Sequence, residues 1–377
     1  LGAVADGTGR KIPWIWFFSL LYVLGAGALW WTEPATFSIL WALLFFGLGL
    51  IGMEFATIFT NAYLPDLDPD PDERGRISGS GWAFGYLGGV IALILMLVFF
   101  QAGDSGRTLV GLQPLFGLNP DTKADTRIVG PFTAIWYIVF IVPFFLYVQD
   151  TLKPPSAAPS VADSLHALGR TIMALPRHPS LLAYLGSSMF YRDALNALYT
   201  FGGIYANGVL GWSIIQIGVF GIIGAISGAV FCWIGGHVDR RVGSKPVIVA
   251  CCIVLILTSG LILSLTDRSV LGLTLAEGSN LPDVIFYVAG AVIGAAGGVL
   301  QASSRTMMTH QAHPDRMTEG FGLYALSGKA TTFLAPAAVA VVSDITGSQR
   351  MGITPIIALF IIGLVLLIWV KPKGDFE

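Results

Sequence analysis

Ten apolar runs constrain this chain more than anything else in it, each close to the roughly 20 residues that a helix needs to cross a ~30 Å hydrocarbon core. They cover residues 13–31, 37–58, 82–100, 129–148, 181–207, 213–234, 246–265, 284–302, 321–342 and 353–370. The runs lack the two-residue apolar/polar alternation of a membrane barrel, so helices are expected. With 54% hydrophobic and 12% charged residues, the chain is too apolar for a soluble domain of its length. These features predict an all-α integral membrane protein surrounded by lipid, with no nucleic-acid partner. Cys232, Cys251 and Cys252 lie in apolar runs without metal-ligand spacing and are expected to pack the core; no metal or cofactor is expected.

A short charged turn, Gly235-Gly236-His237-Val238-Asp239-Arg240-Arg241-Val242-Gly243-Ser244-Lys245, has a close relative at the start, Gly2-Ala3-Val4-Ala5-Asp6-Gly7-Thr8-Gly9-Arg10-Lys11. Farther on, Pro71-Asp72, Gly79 and Gly85 match Pro314-Asp315, Gly322 and Gly328, which makes Tyr86 and Lys329 equivalent positions. Repeats at this separation predict two homologous halves. Two apolar runs precede the second turn and none precedes the first, so the expectation is ten helices of twelve, the first two missing. The expected divisions are an N-terminal bundle at 1–150, a linker at 151–179 and a six-helix C-terminal bundle at 180–377. An amphipathic piece of the linker carries Leu165, Leu168, Ile172 and Leu175. Fourteen of the 21 lysines and arginines fall on the side of the charged turns and the C-terminus, five on the other, and two, Arg192 and Lys329, inside apolar runs. The positive-inside rule then puts the turns and the C-terminus in the cytoplasm.

Charges inside membrane helices are costly and mark functional candidates by default. Glu54 shares a helical face with Thr57 and Asn61; a buried structural hydrogen bond is the alternative. The run at 181–207 is the most polar, with Ser188, Arg192, Asp193, Asn196, Tyr199 and Thr200 within an arc of about 140°. Arg192 and Asp193 point about 100° apart and need not pair with each other, though an ion pair that only joins helices also accounts for them. Lys329 is expected deep in its helix, in one polar site with Asp193. The eighth run ends in Gly297-Gly298-Val299-Leu300-Gln301, where Gln301 is a further candidate. His310 and His313 read as loop residues and the acidic stretch 61–76 as a solvated loop, not a calcium site.

The turn Gly2-x-x-x-Asp6-x-x-Gly9-Arg10-Lys11 resembles the signature between the second and third helices of the major facilitator superfamily, and 235–245 resembles its second-half counterpart with one extra residue before Gly243. Within that superfamily, Asn61-Ala62-Tyr63-Leu64-Pro65-Asp66, Glu73-Arg74-Gly75-Arg76-Ile77-Ser78-Gly79, Gly85-Tyr86-Leu87-Gly88-Gly89, Phe201-Gly202-Gly203-Ile204-Tyr205-Ala206 and Phe321–Thr331 resemble bacterial relatives of the fungal autophagy-linked vacuolar amino-acid effluxers. The resemblance implies a two-bundle fold and a secondary transporter that exposes a midplane site alternately to each side. It further implies that Asp6, Arg10 and Lys11, and Asp239, Arg240 and Lys245, form a conformational latch. The family's Tyr-Asn-Asp-Gly-like stretch reads here Tyr191-Arg192-Asp193-Ala194, so Arg192 is a departure that bears on selectivity.

The expected function is therefore secondary transport of a small solute, amino acids in the first instance, in a bacterial inner membrane. Coupling to protons would use Glu54 or Asp193, carboxylates whose protonation desolvation favours. The substrate or coupling candidates are Asp193, Arg192, Asn196, Lys329, Glu54, Tyr86 and Gln301. A receptor or lipid scramblase on the same frame is the alternative. An intramembrane enzyme fits less well, because no second aspartate or histidine at membrane depth completes a catalytic pair.

Overall fold

The computed structural model describes residues 2–34, 38–68, 70–103, 106–150, 169–266, 268–276 and 279–376. In chain order its long helices are α1 (Ile12–Ala28), α2 (Ile39–Asn61), α3 (Glu73–Leu95), α4 (Val129–Tyr147), α5 (Pro179–Leu210), α6 (Ile214–Val242), α7 (Ser244–Leu263), α8 (Leu281–Gln311), α9 (Met317–Ala330), α10 (Leu334–Thr346) and α11 (Thr354–Leu366). Among the described residues, nine helical segments are long and apolar enough to cross a membrane. The tenth expected run lies within α5, whose 32 residues are ample in length; its polar residues keep it out of that group. One short hairpin interrupts the helical pattern, Ser269–Val270 paired with Leu273–Thr274. Leu271 and Gly272 at its tip have φ of 52° and 80°, the positive values that a tight two-residue turn demands.

The helices form two compact units. One comprises Leu1–Tyr63 and Gly89–Ala167. In it α1 packs against α2 and α4, around Ile15, Phe18, Ala56, Phe59 and Tyr63. Lipid supplies no hydrophobic drive between helices, so close backbone approach has to hold them. A Cβ on Gly25 would sit 2.4 Å from the Gly49 nitrogen, and one on Gly52 would sit 2.4 Å from the Tyr22 nitrogen, so neither site admits a side chain.

The other unit comprises Leu64–Gly88 and Leu168–Glu377. Here α8 packs on both α6 and α7, and α5 on α11. The sequence division at 1–150 and 180–377 differs from these units at one place, since α3 through Gly88 packs with the C-terminal helices. The cause is local: a Cβ on Gly79 would lie 2.6 Å from the Gly236 Cα, so the α3 and α6 backbones touch at their crossing. The expected linker and Leu165 and Leu168 of its amphipathic piece fall largely outside the described residues.

The apolar run at 321–342 is also not one helix. α9 ends at Ala330 and α10 starts at Leu334. Pro336 explains the break, because in a continuous helix its ring would meet the carbonyl of residue 332 and it has no N–H to donate. The break leaves the first N–H groups of α10 without helical acceptors.

Candidate functional site

The structure splits the polar arc of α5. Ser188 and Asp193 are buried, whereas Asn196, Tyr199 and Thr200 are exposed and Arg192 is half-buried between the two sides. Asp193 turns toward the helix break, where its Oδ2 accepts from the Ala335 N–H at 3.1 Å. A carboxylate at that position completes an orphan donor and meets the positive end of the α10 dipole. Its Oδ1 is buried without a hydrogen-bond partner among the described residues.

Arg192 goes the other way. Its Nη1 donates to the Tyr324 carbonyl oxygen at 2.9 Å, and its guanidinium carbon lies 4.0 Å from the centre of the Tyr324 ring. Tyr324 is itself stacked on Tyr184 at 6.1 Å between ring centres. Beneath them, the Tyr184 hydroxyl donates to the Ser304 carbonyl and the Tyr191 hydroxyl lies 2.8 Å from the Ser304 hydroxyl. Both tyrosines are fully buried, so this network fixes the level of α5 against α8.

Farther along the exposed side of α5, the Tyr199 hydroxyl lies 3.2 Å from that of Tyr86, which accepts from Gln301 Nε2 at 3.4 Å. Two of the sequence candidates, Tyr86 and Gln301, are thus brought together. Asp193 and Lys329 are not: Asp193 is buried and bonded to Ala335, while Lys329 is exposed near the end of α9. The helix breaks after Ala330, close beyond Lys329, and the Asp193 carboxylate caps the new start, so the shared polar site expected from the sequence does not take the form of a direct ion pair. Glu54 is half-buried on α2, in the first unit.

Both charged turns bind neighbouring segments. In the first unit, Lys11 Nζ donates to the Ala62 carbonyl at 2.8 Å and lies over the Tyr63 ring. The Lys11 and Ile12 N–H groups at the start of α1 donate to Asp150 Oδ1 at 2.8 and 3.2 Å, and the Tyr63 hydroxyl bonds the same oxygen. Asp6 is half-buried and Arg10 exposed. In the second unit, Asp239 is buried and accepts from the Ser244 hydroxyl at 2.8 Å. A Cβ on Gly75 would lie 2.8 Å from its Oδ1, so α3 passes directly over the carboxylate. Arg240 pairs with Glu73 at 2.6 Å, and Lys245 Nζ donates to the Val370 carbonyl at 2.6 Å. Nearby, Arg305 of α8 donates from Nε to the Ser78 hydroxyl and from Nη2 to its carbonyl, both at 2.9 Å.

Sequence reasoning passed over two carboxylates and one arginine in this set. Asp150 closes the start of α1. Asp375 does the same for α5, its Oδ2 accepting from the Ser180 and Leu181 N–H groups at 2.7 and 3.3 Å while Oδ1 meets Lys371 at 3.1 Å. Burial pushes the Asp375 carboxyl up, but the bonds from Lys371, Ser180 and Leu181 outweigh it and hold it below its ordinary value. The third is Arg305. The signal available was positional: each carboxylate follows the last helix of its half.

Comparisons with known proteins agree with this architecture. The family model described as vacuole effluxer Atg22 like matches residues 1–374. The MFS-type transporter YxiO of Bacillus subtilis (strain 168) is 23% identical over 378 residues, covering 100% of this chain and 81% of that protein. Autophagy-related protein 22 of Cryptococcus neoformans var. neoformans serotype D is 24% identical over 308 residues, covering 78% of this chain and 49% of that protein. The chain therefore spans about half the length of the fungal relative. Among solved structures, the Escherichia coli fucose:proton symporter FucP superposes with a TM-score of 0.70 at 14% identity, covering 98% of this chain and 86% of that one. The proton:xylose symporter XylE gives 0.69 at 10% identity, covering 97% and 82%. The fold is that of the major facilitator superfamily.

Proposed function

Because the chain belongs to the Atg22-like vacuole effluxer family, we propose that it works as a secondary transporter that moves a small solute by alternating access, with amino acids as the first candidates. The observation that carries this reading is the break between α9 and α10 with Asp193 at its edge. Discontinuous helices whose exposed ends meet a buried ionisable group are the way transporter folds build midplane sites. The exposed side of α5 then supplies the solute contacts through Arg192, Asn196 and Tyr199, with Tyr86 and Gln301 behind them. Lys329 and Glu54 are further polar groups available to the cycle.

Asp193 is the proposed proton carrier. One of its oxygens is committed to Ala335 and the other has no partner among the described residues, so a proton can be accepted without undoing the cap. The turn residues Asp6, Arg10, Lys11, Asp239, Arg240 and Lys245 act as the conformational latch, away from the solute. Positive-inside asymmetry supports a cytoplasmic C-terminus in a bacterial inner membrane. The test is flux of labelled amino acids into proteoliposomes with and without a pH gradient. Asp193→Asn should abolish gradient-driven accumulation and leave exchange of pre-loaded solute partly intact. Accumulation by Asp193→Asn equal to the parent would remove Asp193 from coupling.

A further inference from the structure

Arg192 lies thirteen residues into α5, ~20 Å along its axis at 1.5 Å per residue. At that depth a guanidinium needs a counter-charge or water. No carboxylate meets it among the described residues. Its Nη1 is taken by the Tyr324 carbonyl and its face by the Tyr324 ring, and the neighbouring Asp193 is turned away to Ala335. Among the described residues Nε and Nη2 find no hydrogen-bond acceptor, yet neither is sealed in the protein. Those two nitrogens form the side-on fork of the guanidinium, the edge that matches the two oxygens of a carboxylate. The neutral groups on the same side of α5, Asn196 and Tyr199, offer hydrogen bonds without charge. Gly328 underlies the arrangement, since a Cβ there would stand 2.7 Å from Nη1.

We propose that Arg192 is the receptor for the carboxylate of the transported solute, so that the site selects carboxylate-bearing molecules and does not require an amine. Tyr324 holds the guanidinium flat and fixes which edge is presented. This rests on the transport reading above and adds the chemical class of the cargo. A lysine could supply the charge but not the fork.

The experiment uses the purified full chain and matched pairs of acid and amide: lactate and lactamide, isovalerate and isovaleramide, benzoate and benzamide, leucine and leucinamide. Binding is read by tryptophan fluorescence and by ligand-induced thermal shift. At least one acid should bind at millimolar concentration, and its amide at least about tenfold more weakly, the range of a charge-assisted hydrogen bond. Arg192→Gln should bring that ratio close to one, and Arg192→Lys should restore it only in part. Gly328→Ala puts a Cβ against the guanidinium and displaces it from its place on Tyr324, so it should lower the ratio while costing little in unliganded melting temperature, because only the end of one long side chain has to shift; it decides the matter if Arg192→Gln does not fold. The inference is overturned if every acid fails to bind, if an amide binds as well as its acid, or if the ratio survives both substitutions. Carboxylate binding without flux in proteoliposomes would instead fell the transport reading. Flux of an uncharged solute that Arg192→Gln leaves untouched would keep transport and fell the carboxylate receptor.

Discussion

The two charged turns share a sequence pattern, but the carboxylate of the first, Asp6, is half-buried and that of the second, Asp239, is buried. In the first, Lys11 ties the end of α2 through the Ala62 carbonyl, and Asp150 ties the start of α1. The second reaches a segment that the repeat assigns to the other half, since Asp239 lies under Gly75 and Arg240 pairs with Glu73. The opposing surface explains the burial of Asp239. Gly75 and Gly79 let the α3 backbone come down on α6, and there the carboxylate is buried, at 4% exposure. In the latch proposed above, this buried carboxylate is the control point that is easiest to disturb by a single substitution.

Wedging the α3–α6 crossing should have the largest effect. Gly79→Val puts branched carbons where a single Cβ already lies 2.5 Å from the Cys232 carbonyl. Overpacking of this kind costs typically 1–3 kcal/mol, and here the segment can escape by leaving α6. The expectation is a loss of flux of about tenfold or more, with a cysteine at Ser80 becoming more reactive. Gly47→Val is the control, since a Cβ there meets nothing within 4 Å. Equal losses from both would mean that the crossing is ordinary packing.

Next in size is the contrast between the two turn carboxylates. Asp239→Ala leaves the buried Ser244 hydroxyl without its acceptor, a loss of about 1–3 kcal/mol. Asp6→Ala removes a half-buried group and should cost less in melting temperature and in flux. If Asp6→Ala proves as damaging as Asp239→Ala, the asymmetry of the turns is wrong and they act as equals.

Length and apolarity made the spans readable, because a hydrocarbon slab sets helix length directly. The polar character of α5 was equally legible, but an arc of about 140° is wide enough to contain two faces. The structure sends Asp193 to one and Asn196 to the other. The break at 331–333 hid inside an apolar run that satisfied every length criterion. Its one sign was Pro336, which hydropathy counts ignore. Arg192 was recognised as unusual, but its partner is a backbone carbonyl with the Tyr324 ring, and nothing in side-chain chemistry at fixed spacing announces that. Asp150 and Asp375 were missed because a lone loop carboxylate looks solvated until the chain is folded back on a helix start.

Those closing carboxylates offer the smallest and sharpest test. Asp375 caps Ser180 and Leu181 as Asp150 caps Lys11 and Ile12. Removing a cap by alanine costs ~1 kcal/mol, so Asp375→Ala should lower the melting temperature modestly at neutral pH. The sign of its pH dependence follows from the depressed carboxyl. The folded state favours the charged form, so the stabilisation is complete above the unfolded value of about 4 and is lost as pH falls through the lower folded value. The gap between parent and Asp375→Ala should therefore be full at neutral pH and close below about pH 4. Asp375→Asn keeps an oxygen for the Ser180 N–H and has no proton to gain, so its cap should persist in acid. A gap between parent and Asp375→Ala that persists undiminished in acid would show that the tail acts through the ring contacts of Phe376 with His178 and His313, and the parallel with Asp150 would end there.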